Sequence, residues 1–124
     1  MSELNNFQKE VKAWSDAQFG KYRTAAPMAY HLKKEVKELI EKLDDWYQGI
    51  YANSTEDGIK LFTEKTKEIN FEYADCMILL LDSAAHFGTS ADKLLEVCKD
   101  KLEICKNRKY GDPDENGAYQ HLKE

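Results

Sequence analysis

Two pairs of carboxylates stand out in this chain, Glu35 with Glu38 and Glu72 with Asp75. Each pair is spaced i, i+3, which on a helix points both side chains the same way. Where two such helices lie side by side, four carboxylates converge. Hard oxygen ligands of that kind suit Mg²⁺, with Mn²⁺ as a substitute. Glu35 and Glu38 sit in a run of Glu and Lys, and alone they read better as a solvated helix face. Glu72 and Asp75 are harder to dismiss. The segment 71–86, FEYADCMILLLDSAAH, is apolar all the way round from 76 to 81, which predicts a helix buried on every side. At about 100° per residue, Glu72, Asp75, Leu79, Asp82 and His86 share one stripe of it. Carboxylates there are costly unless a metal ion or basic partners compensate them.

Other chemistries leave no trace. There is no Glu-x-x-His pattern for a di-iron bundle, no Gly-rich phosphate loop, no zinc-ligand spacing and no mark of a nucleophilic triad.

The elements that must position these groups read as helices. The first covers 4–19, with Phe7, Val11, Trp14 and Gln18 on one face and Gly20 able to end it in a left-handed conformation. A basic link with Lys21 and Arg23 follows, and Pro27 suits the start of the next helix. That second helix, 28–47, has the apolar stripe Leu32, Val36, Leu39 and Leu43, with His31, Glu35 and Glu38 together on one flank. Residues 50–58 read as a connection, in which Ser54 and Asp57 cap a short helix through Leu61 and Phe62. The third long helix starts between 64 and 69 and closes at Gly88. The fourth runs from 91 to about 109, with Leu94, Cys98, Leu102 and Cys105 towards a core. Gly111 and Pro113 stop it, and 111–124 is a turn-rich tail. Long helices with short links and no strand pattern predict a single all-α domain over 1–124, like a four-helix bundle. The helix at 71–86 is too apolar for one chain to cover, which predicts a homo-oligomer, a dimer or a dimer of dimers.

Composition narrows the partners. The chain has 124 residues, 33% charged, with a net charge of −5 and a pI near 5.3. That balance argues against binding a nucleic-acid backbone. Three cysteines without a CxxC spacing read as reduced thiols and small core residues, in a cytoplasmic setting. The N-terminal segment carries no apolar signal region, and MILLL is too short to span a membrane.

EVKE followed by EYAD resembles the ExxE…ExxD signature of the all-α nucleoside triphosphate pyrophosphohydrolases, the MazG-like superfamily. The likeness extends over FQKEVKAWSDAQFG, HLKKEVKELIE, EYADCMILLLDSAAHFG and KNRKYGDPDENGAYQH, nearly the whole chain. These stretches are similar to the small single-domain phage and bacterial branch described as dATP/dGTP diphosphohydrolases. The interval between the motifs is longer than in compact members, with the extra residues in 47–59. The resemblance implies hydrolysis of a (deoxy)nucleoside triphosphate to the monophosphate and pyrophosphate, with Mg²⁺ on Glu35, Glu38, Glu72 and Asp75. Purine preference rests on the resemblance alone; the alternatives are a dUTP/dCTP-type enzyme or a non-catalytic nucleotide-binding oligomer.

Further roles are assigned within that frame. Lys101 and Arg108, with Asn107 and Lys109 behind them, are phosphate-binding candidates, or else compensate the helix dipole. Trp14 and Gln18, next to Phe19, are candidates for holding the base, although a Trp more often lies in a core. Asp82, His86 and His31 are expected to support the metal ligands rather than bind the ion themselves.

Overall fold

The computed structural model describes residues 2–49 and 56–122. Four helices follow one another: α1 Glu3–Phe19, α2 Ala26–Gly49, α3 Glu56–Phe87 and α4 Ala91–Lys106. No strand is present among the described residues, only an isolated antiparallel bridge between Tyr110 and His121. The fold is all-α, as the sequence predicts.

Local signals set the helix ends. Ser2 caps α1 by accepting from the Asn5 amide at 3.1 Å. Gly20 ends α1 at φ 99°, and Gly88 ends α3 at φ 95°. At the latter end the Thr89 amide reaches back to the Ala84 carbonyl at 2.8 Å, the closing bond of a Schellman turn.

The chain forms two compact units, Met1–Ala91 and Asp92–Glu124. In the first, α3 is the element on which both α1 and α2 pack. Its core is small: Val11, Met28, Leu39, Ile69, Leu81 and Ala91 are buried. Gln8 locks α1 to the end of α3. Its Nε2 donates to the carbonyls of Leu81 and Thr89, each at 3.0 Å, and its Oε1 accepts from the Ala91 amide at 2.7 Å. In the second unit, α4 is followed by a tail that folds back on itself. The Leu122 amide donates to Lys109, Gly111 donates to Gln120, and Asp114 Oδ1 accepts from the Asn116 and Ala118 amides.

Three expectations need correction. The predicted break before 64–69 does not exist, and α3 is one continuous helix of 32 residues from Glu56. Between Gly58 and Gly88 the sequence has neither Gly nor Pro, and Thr63 and Thr66 return their hydroxyls to the Ile59 and Phe62 carbonyls without leaving the helix. The predicted Ser54–Asp57 cap lies outside the described residues and side chains. Secondly, 76–81 is not buried on every side: Met77 is 49% and Leu80 48% exposed, while Leu81 is buried. Thirdly, α4 stops at Lys106, and its expected core face is not covered: Cys98 and Leu102 are exposed, Leu94 and Cys105 half-buried. An amphipathic period reports that a face is apolar, not what covers it.

Candidate metal centre and adjoining cavity

Antiparallel packing of α2 on α3 brings three carboxylates together. One oxygen each from Glu35, Glu38 and Glu72 lies within 4.8 Å of the others. The i, i+3 spacing on α2 supplies the first two and the buried face of α3 supplies the third. Burial pushes the Glu35 carboxyl above its ordinary range, and the neighbouring charges of Glu38, Glu72 and Asp75 add to the rise. Asp75, one methylene shorter and exposed, stands beside this trio rather than within it.

A cation that the sequence reading missed joins the cluster. Lys42 Nζ donates to Glu72 Oε1 at 2.6 Å. It holds the Glu72 carboxyl below its usual range, and Glu72 in turn raises Lys42. The signal was available: 35, 38 and 42 continue one stripe at i, i+3, i+7. Even so, one ammonium faces three carboxylates. Glu72 Oε2 is buried and has no hydrogen bond among the described residues. An orphaned buried oxygen beside two crowded carboxylates is a donor set that fits a hard divalent cation. Burial also raises the Cys76 thiol, with the nearby carboxylates adding to it, which disfavours the reactive thiolate.

Next to the trio lies a cavity of about 470 Å³. Glu35, His31 and Asp75 line one end of it. Trp14, Phe19, Ile78 and Leu79 form apolar walls, and Arg23, Met28 and Asp82 line the rest. His31 Nε2 lies 3.2 Å from Glu35 Oε1. Trp14 is therefore a cavity wall and not a core residue, and it packs edge-on against Phe19 with ring centroids 5.6 Å apart. Gln18, the other expected base-binding residue, is exposed and is not part of the lining.

Asp82 belongs to a second polar cluster, built between α1, the α1–α2 link and α3. Ser15 Oγ donates to Asp82 Oδ2 at 2.6 Å. Arg23 Nη2 donates to Ser15 Oγ and lies 3.8 Å from Asp82 Oδ2. Arg23 Nε donates to the Gly20 carbonyl at 2.9 Å. His86 places Nδ1 2.8 Å from the Asp82 carbonyl and Nε2 2.8 Å from Asp16 Oδ1. Lys12 donates to Asp16 Oδ2 at 2.6 Å. Lys12 and then His86 hold the Asp16 carboxyl below its usual range. Asp82 and His86 thus contact α1 and the link, rather than the Glu35–Glu38–Glu72 trio.

The remaining candidates, Lys101, Asn107, Arg108 and Lys109, belong to the second unit. Asn107 Nδ2 donates to the Glu103 carbonyl at 2.9 Å and closes α4, and Arg108 is half-buried just past the helix end.

Residues 39–124 match a family model for nucleoside triphosphate pyrophosphohydrolases, and the chain is an enzyme of that class. The model is that of the dATP/dGTP pyrophosphohydrolases, and the chain belongs to that family. The matched segment holds the ExxD pair and starts one residue after the second glutamate of ExxE. No curated protein and no solved structure matches the chain. No described helix is long and apolar enough to cross a membrane.

Proposed function

We propose that this enzyme converts a purine deoxynucleoside triphosphate to the monophosphate and pyrophosphate, and that it depends on Mg²⁺. The observation that carries the reading is the Glu35–Glu38–Glu72 trio, whose Glu35 also lines the cavity, with one buried oxygen left without a hydrogen bond among the described residues. These three residues would hold the ion, with Asp75 at the rim. A bound Mg²⁺ supplies charge neutralisation for the phosphates and a water of lowered pKa. The chain supplies the rest. Lys42 fixes the Glu72 carboxylate through one oxygen and leaves the other facing the cluster. His31 braces Glu35. The apolar walls formed by Trp14 and Phe19 on one side and Ile78 and Leu79 on the other suit a flat base and exclude water from it.

Chromatography of reactions with dATP, dGTP, dCTP, dTTP and dUTP, with Mg²⁺ and with EDTA, tests this. Monophosphate and pyrophosphate from the purines, abolished by EDTA, is the expected result. A diphosphate with orthophosphate as products, or a preference for dUTP or dCTP, would overturn it.

The reading includes self-association. Tyr73, Met77 and Leu80 form an exposed apolar strip on α3, which a second copy would cover. Light scattering should give a mass of at least twice the 14.4 kDa of one chain; a monomer at micromolar concentration would refute it.

A further inference from the structure

One cation beside the carboxylate trio belongs to the chain itself. On α2 the lining of the cavity ends at Glu35, and on α3 it ends at Asp75. Lys42 lies seven residues beyond Glu35, about 10 Å further along the helix, and does not line the cavity. It stands on the far side of the trio, with its side chain 39% exposed.

Lys42 Nζ takes one oxygen of Glu72, donating to Oε1 at 2.6 Å. The other oxygen, Oε2, is buried and has no hydrogen bond among the described residues. A single carboxylate thus meets a cation on one oxygen and leaves the other open. That is the layout of a paired-ion site, in which two divalent ions sit about 3.5–4 Å apart. Glu72 is not the only acid near the ammonium. Glu72 acts on Lys42 first, and Glu68 and Glu38 after it. Glu68 is one turn from Glu72 on α3, and Glu38 is one turn from Lys42 on α2. Without the lysine, these carboxylates are oxygen ligands for a second hard cation. With it in place, the three carboxylates of the trio less one ammonium leave two negative charges, which one divalent ion cancels.

We propose that Lys42 is the resident cation of this centre: it fills the position of a second divalent ion, so that the nucleotide-free enzyme takes a single ion from solution. A tethered ammonium is present at any Mg²⁺ concentration. It offers donors and no place for a bound water, so it holds Glu72 and leaves the activation of water to the one exchangeable ion. Lys42 is in this sense a positioning residue that also sets the ion count. The inference rests on the trio being a metal centre, and it adds how many ions that centre holds before substrate arrives.

Counting bound ions tests it without turnover. Mn²⁺, which suits the same oxygen ligands, is titrated into metal-free, nucleotide-free protein and followed by electron paramagnetic resonance. The wild-type chain should bind one Mn²⁺ with the spectrum of an isolated ion, and so should Lys42→Arg, which keeps the charge. Lys42→Met should bind two, with the spectrum of a spin-coupled pair. Lys42→Gln, which keeps a donor for Glu72 and loses the charge, should behave as Lys42→Met does. If Lys42 only held Glu72 by a hydrogen bond, Lys42→Gln would bind one ion like the wild type, and Lys42→Met one ion more weakly. That pattern overturns the proposal. Two coupled ions in the wild type also overturn it, whether or not either neutral variant folds. No Mn²⁺ bound by the wild type would bring down the metal centre itself, and the proposal with it.

Discussion

One stripe of α3 carries two acidic clusters in opposite electrostatic condition. At Glu72 the carboxylates outnumber their partners: three converge, a single lysine meets one oxygen, and Glu35 is pushed up by burial and by its neighbours. At Asp82, ten residues on, the acids have more partners, although Asp82 Oδ1 also lacks a hydrogen bond among the described residues. Ser15, Arg23, His86 and Lys12 surround Asp82 and Asp16, and Asp16 is pulled down. The residue types are the same. What differs is the supply of partners. The second cluster draws its cations, Lys12 and Arg23, from α1 and the α1–α2 link, while the first has Lys42 on one oxygen of Glu72 and leaves the other without a hydrogen bond among the described residues. A carboxylate's role is therefore read from its partners and not from its position in a motif.

The largest expected effect breaks the first cluster. Glu72→Gln should lower kcat/KM by well over a hundredfold, beyond the roughly 10–100-fold lost when a group merely supports a metal ligand. Its metal-free melting temperature should change little, because the amide still accepts from Lys42 while one repelling charge is gone. Mg²⁺ should raise the wild-type melting temperature and leave this variant where it was. In Asp82→Asn the Mg²⁺-induced rise should persist. A Glu72→Gln enzyme with near wild-type rates at saturating Mg²⁺ would remove the metal assignment.

A smaller effect sharpens the contrast through pH. The folded-state pKa of Asp16 is lowered, so its contribution to stability is present above the ordinary carboxylate range and lost as pH falls through the lowered value. Glu35 has the opposite sign. Its pKa is raised, so its contribution is present below the ordinary range and lost as pH rises through the raised value. In EDTA, melting temperature against pH should therefore fall on both sides. Mg²⁺ should lift the alkaline limb, where Glu35 is ionised and available to the ion, and leave the acid limb in place. Equal lifting of both limbs would show that the two clusters do not differ as described.

Much of this was legible in the sequence, and the exceptions share a cause. Gly20 and Gly88 marked helix ends because a left-handed residue is a local requirement, and ExxE with ExxD marked the helix faces from which Glu35, Glu38 and Glu72 converge, because helical spacing is local too. Lys42 lay on the same stripe but looked like one more solvated lysine. Ser15 and Arg23 carried no signal, because their importance arises only when α1 and the link close over Asp82, 67 residues away from Ser15. Trp14 could have been core or wall, and only packing decides that. The all-round apolarity of 76–81 predicts burial of Met77 and Leu80, and the period of α4 predicts it for Leu102, yet neither pattern names the covering surface.

The unbroken run of α3 through both clusters has an evolutionary consequence. A residue inserted between Asp75 and Asp82 would turn everything beyond it by about 100°, carrying Asp82 off the cavity and His86 away from Asp16. A deletion would turn them the other way. Substitutions can be tried one at a time along this helix, but its length between those two aspartates is inherited whole. Lineages that alter what the enzyme accepts are thus confined to exchanging side chains there, while gains and losses of residues must accumulate elsewhere in the chain.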